Sequence, residues 1–102
     1  MKLLVADIGG TNARFGYQEN NGSEIKHVEF LNCVDFANIG QAIAHYVSKN
    51  SLNIENLSLS IAGPCGDNFV KFTNNHWSFD KIDLLNETNC NSLLAINDFA
   101  AQ

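Results

Sequence analysis

The run Leu3-Leu4-Val5-Ala6-Asp7-Ile8-Gly9-Gly10-Thr11-Asn12, with Arg14 just beyond it, decides how the rest of the chain is read. Leu3 to Ala6 is a short apolar run without a helical period, which predicts a buried strand. Asp7 therefore stands as a carboxylate at the end of a core strand. Gly9 and Gly10 permit positive φ and leave no side chain between the backbone and an incoming ligand, the shape of an anion-binding turn. Thr11 adds a hydroxyl and Asn12 an amide, and Asp7 is suited to hold a hydrated metal ion beside the same phosphates. A plain hairpin turn uses the same residue types, so the turn alone leaves both readings open. No Lys-Ser/Thr follows the glycines as in a P-loop, and the Gly-x-Gly-x-x-Gly fingerprint is missing, which sets those two nucleotide-binding classes aside.

Composition narrows the partners. With 102 residues, 45% of them hydrophobic, the chain is sized for one domain that buries about two-thirds of its unfolded surface. The net charge of -5 and the 17% of charged residues provide no field that would draw a polyanion, so nucleic acid is a poor partner. Cys33, Cys65 and Cys90 are widely spaced with no C-x-x-C pair, which fits reduced thiols in a reducing compartment. The apolar run ahead of Asp7 is too short for a signal-peptide core or a membrane span. A soluble, cytoplasmic protein is expected. Asparagine occurs 15 times, so a single Asn within a motif carries little weight by itself.

Beyond the turn, Ala13 to Tyr17 reads as a strand interrupted by Gly16, where a bulge or a close neighbour fits. Asn20-Asn21-Gly22 is a reverse-turn signal, and Glu24 to Leu31 alternates as a third strand. Asp35 is positioned to cap a helix whose apolar residues Phe36, Ile39, Ile43, Tyr46 and Val47 recur at three and four, with Lys49 in the last turn. His45 falls on the opposite side of that helix and reads as solvated, since no second metal-type partner sits at i+4. Leu57 to Ala62 alternates as a strand and ends at Gly63-Pro64. Reached through a helix, it is expected to lie parallel in the same sheet. Phe69 to Phe72 is a further short strand, followed by a loop from Thr73 to Trp77. Ser78 or Asp80 caps a brief helix through Ile82, Leu84 and Leu85 that closes near Asn86 to Asn91. Ser92 to Ile96 then repeats the opening design and delivers Asn97-Asp98.

The order β-β-β-α-β-(β)-α-β predicts an α/β fold, a mixed sheet with helices packed on it. That is the order of a ribonuclease H-like, or actin-like ATPase, half-domain. If Leu3 to Ala6 and Leu93 to Ile96 lie side by side and parallel, Asp7 and Asp98 emerge at one edge, where ligands of open α/β sheets bind. Asp98 also reads as the N-cap of Phe99 to Gln102, and the two roles are compatible. A carboxylate there is well placed to take a proton from a substrate hydroxyl, with Asn97 hydrogen-bonding to neighbouring hydroxyls.

Asp7-Ile8-Gly9-Gly10-Thr11-Asn12-Ala13-Arg14, Ile61-Ala62-Gly63-Pro64, Thr73-Asn74 with Trp77, and Ile96-Asn97-Asp98-Phe99 together resemble the bacterial glucokinase family, in that order and from end to end of the chain. The resemblance implies ATP-dependent phosphorylation of glucose at its 6-hydroxyl, the first step of glycolysis, on an actin-like N-terminal domain. It implies that Asp7 helps place the Mg²⁺ of MgATP through water and that Gly9, Gly10, Thr11 and Asn12 line the phosphate turn. It makes Asp98 the catalytic base and Asn97, with Asp98, the holder of the sugar hydroxyls. For Arg14 it leaves two roles, a phosphate contact or a pair with a carboxylate such as Asp7. Asn75 and His76 depart from the family's wording, and Trp77 reads as core rather than sugar platform.

Family members are two-domain chains, so residues 1–102 are expected to be the N-terminal domain, with the C-terminal domain absent, the fragment inactive alone and a homodimer open to the full-length form. Glucose and ATP are the expected small-molecule partners, with neither nucleic acid nor membrane. Two rival readings keep the fold. One is a ribonuclease H-type nuclease with Asp7 and Asp98 as metal ligands, disfavoured by the net charge and the lack of a basic stripe. The other is a non-catalytic sugar-sensing actin-like domain that keeps the turn as a switch.

Overall fold

Leu4, Ala6 and Ile8 are buried while Asp7 is exposed, so the opening run folds as a strand with one face in the core and one face out. The computed structural model describes residues 2–20, 22–61, 69–70 and 77–97. In chain order these form β1 (Leu3–Ile8), β2 (Asn12–Gln18), β3 (Lys26–Asn32), a 3-10 turn (Cys33–Asp35), α1 (Ile39–Lys49), β4 (Asn56–Ile61), β5 (Phe69–Val70), β6 (Phe79–Asp80), α2 (Lys81–Thr88) and β7 (Ser92–Asn97). Five strands make one mixed sheet in the order β3-β2-β1-β4-β7, and β5 with β6 make a small hairpin. β1 is antiparallel to β2 and parallel to β4, and β7 is parallel to β4. This is the α/β arrangement that the element order predicts.

The core lies on one face of the sheet. Leu4, Ala6 and Ile8 of β1, Ala13, Phe15 and Tyr17 of β2, and Leu57, Leu59 and Ile61 of β4 meet Ile39, Ala42, Ile43 and Tyr46 of α1 and Leu84 of α2. Phe15 and Tyr46 join sheet to helix, with ring centroids 5.4 Å apart and tilted. Trp77 is fully buried and its Nε1 donates to the Phe36 carbonyl at 3.1 Å, so it is a core residue as its size predicts. Cys33 is buried and Cys90 half-buried, and both are free thiols, while Cys65 lies outside the described residues.

Several local expectations hold. Gly22 has φ of 88° in the reverse turn, where Ser23 N–H donates to the Asn20 carbonyl. At Gly16 the β2–β3 register shifts, and a Cβ there would stand 2.6 Å from Ile25 Cγ2, so bulge and close neighbour coincide. Asp80 caps α2 by accepting from the Ile82 and Asp83 amides, and Asn89 closes it in the left-handed conformation. His45 is exposed, beside the Phe36 ring.

Others are corrected. α1 is capped by Asn38, whose Oδ1 accepts from Gln41 N–H at 2.9 Å, and not by Asp35, which ends the 3-10 turn. Asn38 wins because Gln41, at the third helical position, reaches back to the Ala37 amide and closes the entry from both sides. Phe36 therefore stands outside the helix. Of the two caps open to the second helix, Ser78 is not used, and Phe79 pairs with Val70 ahead of the helix. β7 is not beside β1, because β4 lies between them. Among the described residues no helix is long and apolar enough to cross a membrane.

Tyr46 ties α1 to the far edge of the sheet: its hydroxyl donates to the His27 carbonyl at 2.9 Å, and His27 carries φ of 54°. Lys49 and Asn50 reach the Glu29 carboxylate nearby, each at 2.8 Å, and the Lys49 bond chiefly holds that carboxyl below its ordinary range. Burial, with the Glu29 charge adding to it, pushes the Tyr46 phenol up to about 12. Unfolded tyrosine titrates near 10, so as pH rises past about 10 the unfolded chain releases this proton first. The contribution is complete below pH 10 and falls toward pH 12, by up to about 1.4 kcal/mol per unit. Tyr46→Phe is expected to cost about 1–2 kcal/mol at neutral pH, by leaving the His27 carbonyl unpaired, and to remove this alkaline decline, as measured by urea denaturation at pH 7 to 11.5.

Candidate functional site

The carboxyl ends of β1, β4 and β7 reach the same rim, because the three strands run parallel. Asp7 stands opposite Arg14 on β2 and Ser60 on β4, and Ser60 stands opposite Ile96 on β7. One register row thus crosses the sheet as Phe30, Arg14, Asp7, Ser60 and Ile96, on the face away from the helices. Asn97 follows at the end of β7, in register with Ile61, about two strand spacings or roughly 10 Å from β1. Asp98, Ala62-Gly63-Pro64, Thr73-Asn74 and the residues Asn75 and His76 lie outside the described residues.

Residues 9–11 make the turn between β1 and β2. Gly9 N–H donates to the Asn12 carbonyl at 3.0 Å and closes it, and the Cys33 N–H donates to the Thr11 carbonyl at 2.9 Å. Gly10, Thr11 and Asn12 are exposed. Among the described residues positive φ falls at Gly22, His27, Ser51 and Asn89, so neither Gly9 nor Gly10 is required by a left-handed backbone. What Gly9 provides is space: a Cβ would lie 3.4 Å from the Asn12 carbonyl oxygen, at the tight end of ordinary contact. The second of the two reasons for glycine, a bare backbone facing a ligand, is the one this geometry leaves.

Below the turn lies a cavity of about 190 Å³, lined by Asp7, Arg14, Ser58 and Ser60 with apolar Val5, Ile25 and Val28. Gly16, Ser58 and Ser60 are the small residues that open it. Asp7 and Arg14 face each other in register, yet no ion pair joins them, so the carboxylate-pairing role for Arg14 is not taken up with Asp7. Among the described residues no three His, Cys, Asp or Glu side chains converge as a metal cluster. A single exposed carboxylate fits a magnesium ion that keeps most of its water and shares the phosphates of a nucleotide, and does not fit an all-protein cage. The donor set therefore suits Mg²⁺ delivered with a nucleotide. The role of the 3-10 turn in holding Thr11 has no sequence motif, and only the strand pairing reveals it.

A mixed sheet in this order, with a glycine turn and a carboxylate at the rim, defines a ribonuclease H-like, actin-like half-domain. The family model described as Glucokinase matches residues 4–102. Glucokinase of Helicobacter pylori strain J99 is 45% identical over 103 residues, and that of Hahella chejuensis is 35% identical over 99 residues, covering 97% and 96% of this chain. The chain belongs to the glucokinase family. It spans 30% and 31% of the length of those two relatives. The crystal structure of a glucokinase from an Antarctic psychrotroph superposes with a TM-score of 0.87 at 34% identity, over 98% of this chain and 33% of that one. A ROK family glucokinase from Streptomyces griseus, in complex with glucose and AMPPNP, shares the fold with a TM-score of 0.71 at 21% identity, over 96% of this chain and 33% of that one.

Because Arg14 is exposed and without an ion pair to Asp7, Arg14→Gln is expected to change the unfolding free energy by less than about 0.5 kcal/mol. A urea titration that shows a loss of several times that amount would reveal a structural pair.

Proposed function

We propose that the full-length protein is an ATP-dependent glucokinase and that residues 1–102 are its N-terminal domain. The observation that carries this is the placement of Asp7, exposed at the carboxyl end of β1 beside the glycine turn, on the same rim as the end of β7. The family membership supports the chemistry, transfer of the γ-phosphoryl group of ATP to the 6-hydroxyl of glucose, and the cytoplasm is the setting proposed for it. That membership also sets the nuclease and sensor readings aside.

In this reading Gly9, Gly10, Thr11 and Asn12 hold the nucleotide's phosphates. Their exposed backbone and the Thr11 hydroxyl are the donors. Asp7 holds Mg²⁺ through water, and the ion, when bound, neutralises phosphate charge. Arg14 offers a guanidinium to the same phosphates from the next strand. Asp98 takes the proton of the 6-hydroxyl as it attacks, and Asn97 orients the neighbouring hydroxyls. Phosphoryl transfer asks mainly for in-line positioning and charge neutralisation, which fits the exposed turn and Asp7 at the end of β1.

A coupled assay on the full-length protein is expected to show ATP consumption that depends on glucose. Asp98→Asn should lower kcat by about 10²- to 10⁴-fold with KM for ATP little changed. The 102-residue chain alone should not turn over, because closure of a second domain normally completes such a site and excludes water. Glucose-dependent turnover by the isolated chain, or an unimpaired Asp98→Asn enzyme, would refute this assignment of parts.

A further inference from the structure

The phosphate turn is not held by its own residues alone. Within it the Gly9 N–H bond to the Asn12 carbonyl joins its two ends and leaves Gly10 and Thr11 between them. A loop with two glycines loses more backbone entropy on ordering than most, so restraint from outside the turn adds to that of its own closing bond. A further restraint comes from β3. As that strand ends, the Cys33 N–H donates to the Thr11 carbonyl at 2.9 Å, one step beyond the last strand pair, Asn12 with Asn32. Cys33 is 2% exposed, so its side chain anchors the donor in the core. The chain then turns immediately into the 3-10 segment, where the Asn32 side chain accepts from the Val34 amide and the Phe36 N–H from behind reaches the Cys33 carbonyl.

We propose that the Cys33 backbone amide is a positioning group for the nucleotide: by fixing the Thr11 carbonyl it sets the orientation of the phosphate turn. The Thr11–Asn12 peptide is planar and trans, so a fixed Thr11 carbonyl also fixes the opposite direction for the Asn12 N–H. The turn is thereby ordered before ligand arrives, and binding phosphate does not have to order it. This inference rests on the reading of residues 9–12 as the phosphate turn.

Proline at position 33 deletes the donor and also replaces the buried thiol, a side-chain change that Cys33→Ala controls for. Asn32 already has φ of -84° and ψ of 119°, the extended conformation required before proline, and position 33 opens a 3-10 turn, where proline's φ is native-like. In the full-length protein, Cys33→Pro is expected to raise KM for MgATP about tenfold while KM for glucose and kcat stay within about twofold. Cys33→Ala, which keeps the amide, should restore KM for MgATP to within about twofold of the parent. A purely structural role would move all three constants together, in both variants. If Cys33→Pro does not fold, amide hydrogen exchange on the unmodified full-length protein decides: the Cys33 amide should be protected, and AMPPNP should slow its exchange further, by reciprocity of the coupling. Exchange unaffected by AMPPNP, or an unchanged KM for MgATP in Cys33→Pro, overturns the brace alone. A parent protein that consumes no ATP with glucose overturns the reading of the site and the brace with it.

Discussion

β1 is hydrogen-bonded along both edges, antiparallel to β2 on one side and parallel to β4 on the other, and the rim takes its chemistry from that central place. The register is held by burial. Leu4 and Ile8 are at most 1% exposed, and each such side chain contributes about 1.5–3 kcal/mol by leaving water. Because side chains alternate with a period of two, a slip by one residue would turn Asp7 into the core and Ile8 out to solvent. The position of the rim carboxylate Asp7 is thus set by aliphatic packing on the opposite face, and the charged group itself needs no partner to stay where it is.

The two faces of the sheet are built for different things. The helix-covered face is packed by aliphatic and aromatic side chains, with the Tyr46 hydroxyl and the Trp77 Nε1 in the core region each hydrogen-bonded to a backbone carbonyl. The other face mixes Asp7, Arg14, Ser58 and Ser60 with Val28, Phe30, Leu94 and Ile96, of which Phe30 is 71% exposed. Parallel strands are usually covered on both faces, and here β4 and β7 are covered on one. The small residues in the middle of the open face, Gly16, Ser58 and Ser60, are what make a hollow next to Asp7 instead of a flat surface.

Periodicity made most of the fold legible. The runs at Leu3, Leu57 and Ser92 are strands, the three-and-four spacing over residues 39–47 is α1, and Asp80 caps α2. What stayed hidden depended on partners distant in the chain. Asp35 and Asn38 are both good caps by type, and the choice fell to Asn38 because Gln41 could complete the entry from the third position. The sheet order could not be read from two apolar runs of similar design, so β1 and β7 looked like neighbours until β4 took the place between them. At the candidate site, the residue types of Asp7 and of the turn Gly9 to Asn12 suggest a phosphate-binding role, and the strand pairing puts them at the carboxyl end of β1. The hold of Cys33 on Thr11 was not legible, because a backbone amide leaves no trace in residue identity.

That hidden contact bears on what kind of phosphate site a glycine turn can be. In a P-loop a lysine and a helix N-terminus face the anion, so the site brings its own positive charge. Here the turn is flanked by strands, and Arg14 stands on the next strand, opposite Asp7. With no converging cluster of metal ligands among the described residues, the turn and Asp7 together suit an anion that arrives already paired with its metal. A site of that kind discriminates by charge, because a bare phosphate without its cation meets the Asp7 carboxylate directly, and by the shape of the turn. Shape, in a loop of glycines, is reinforced from outside the loop, and β3 is the element that lies against it.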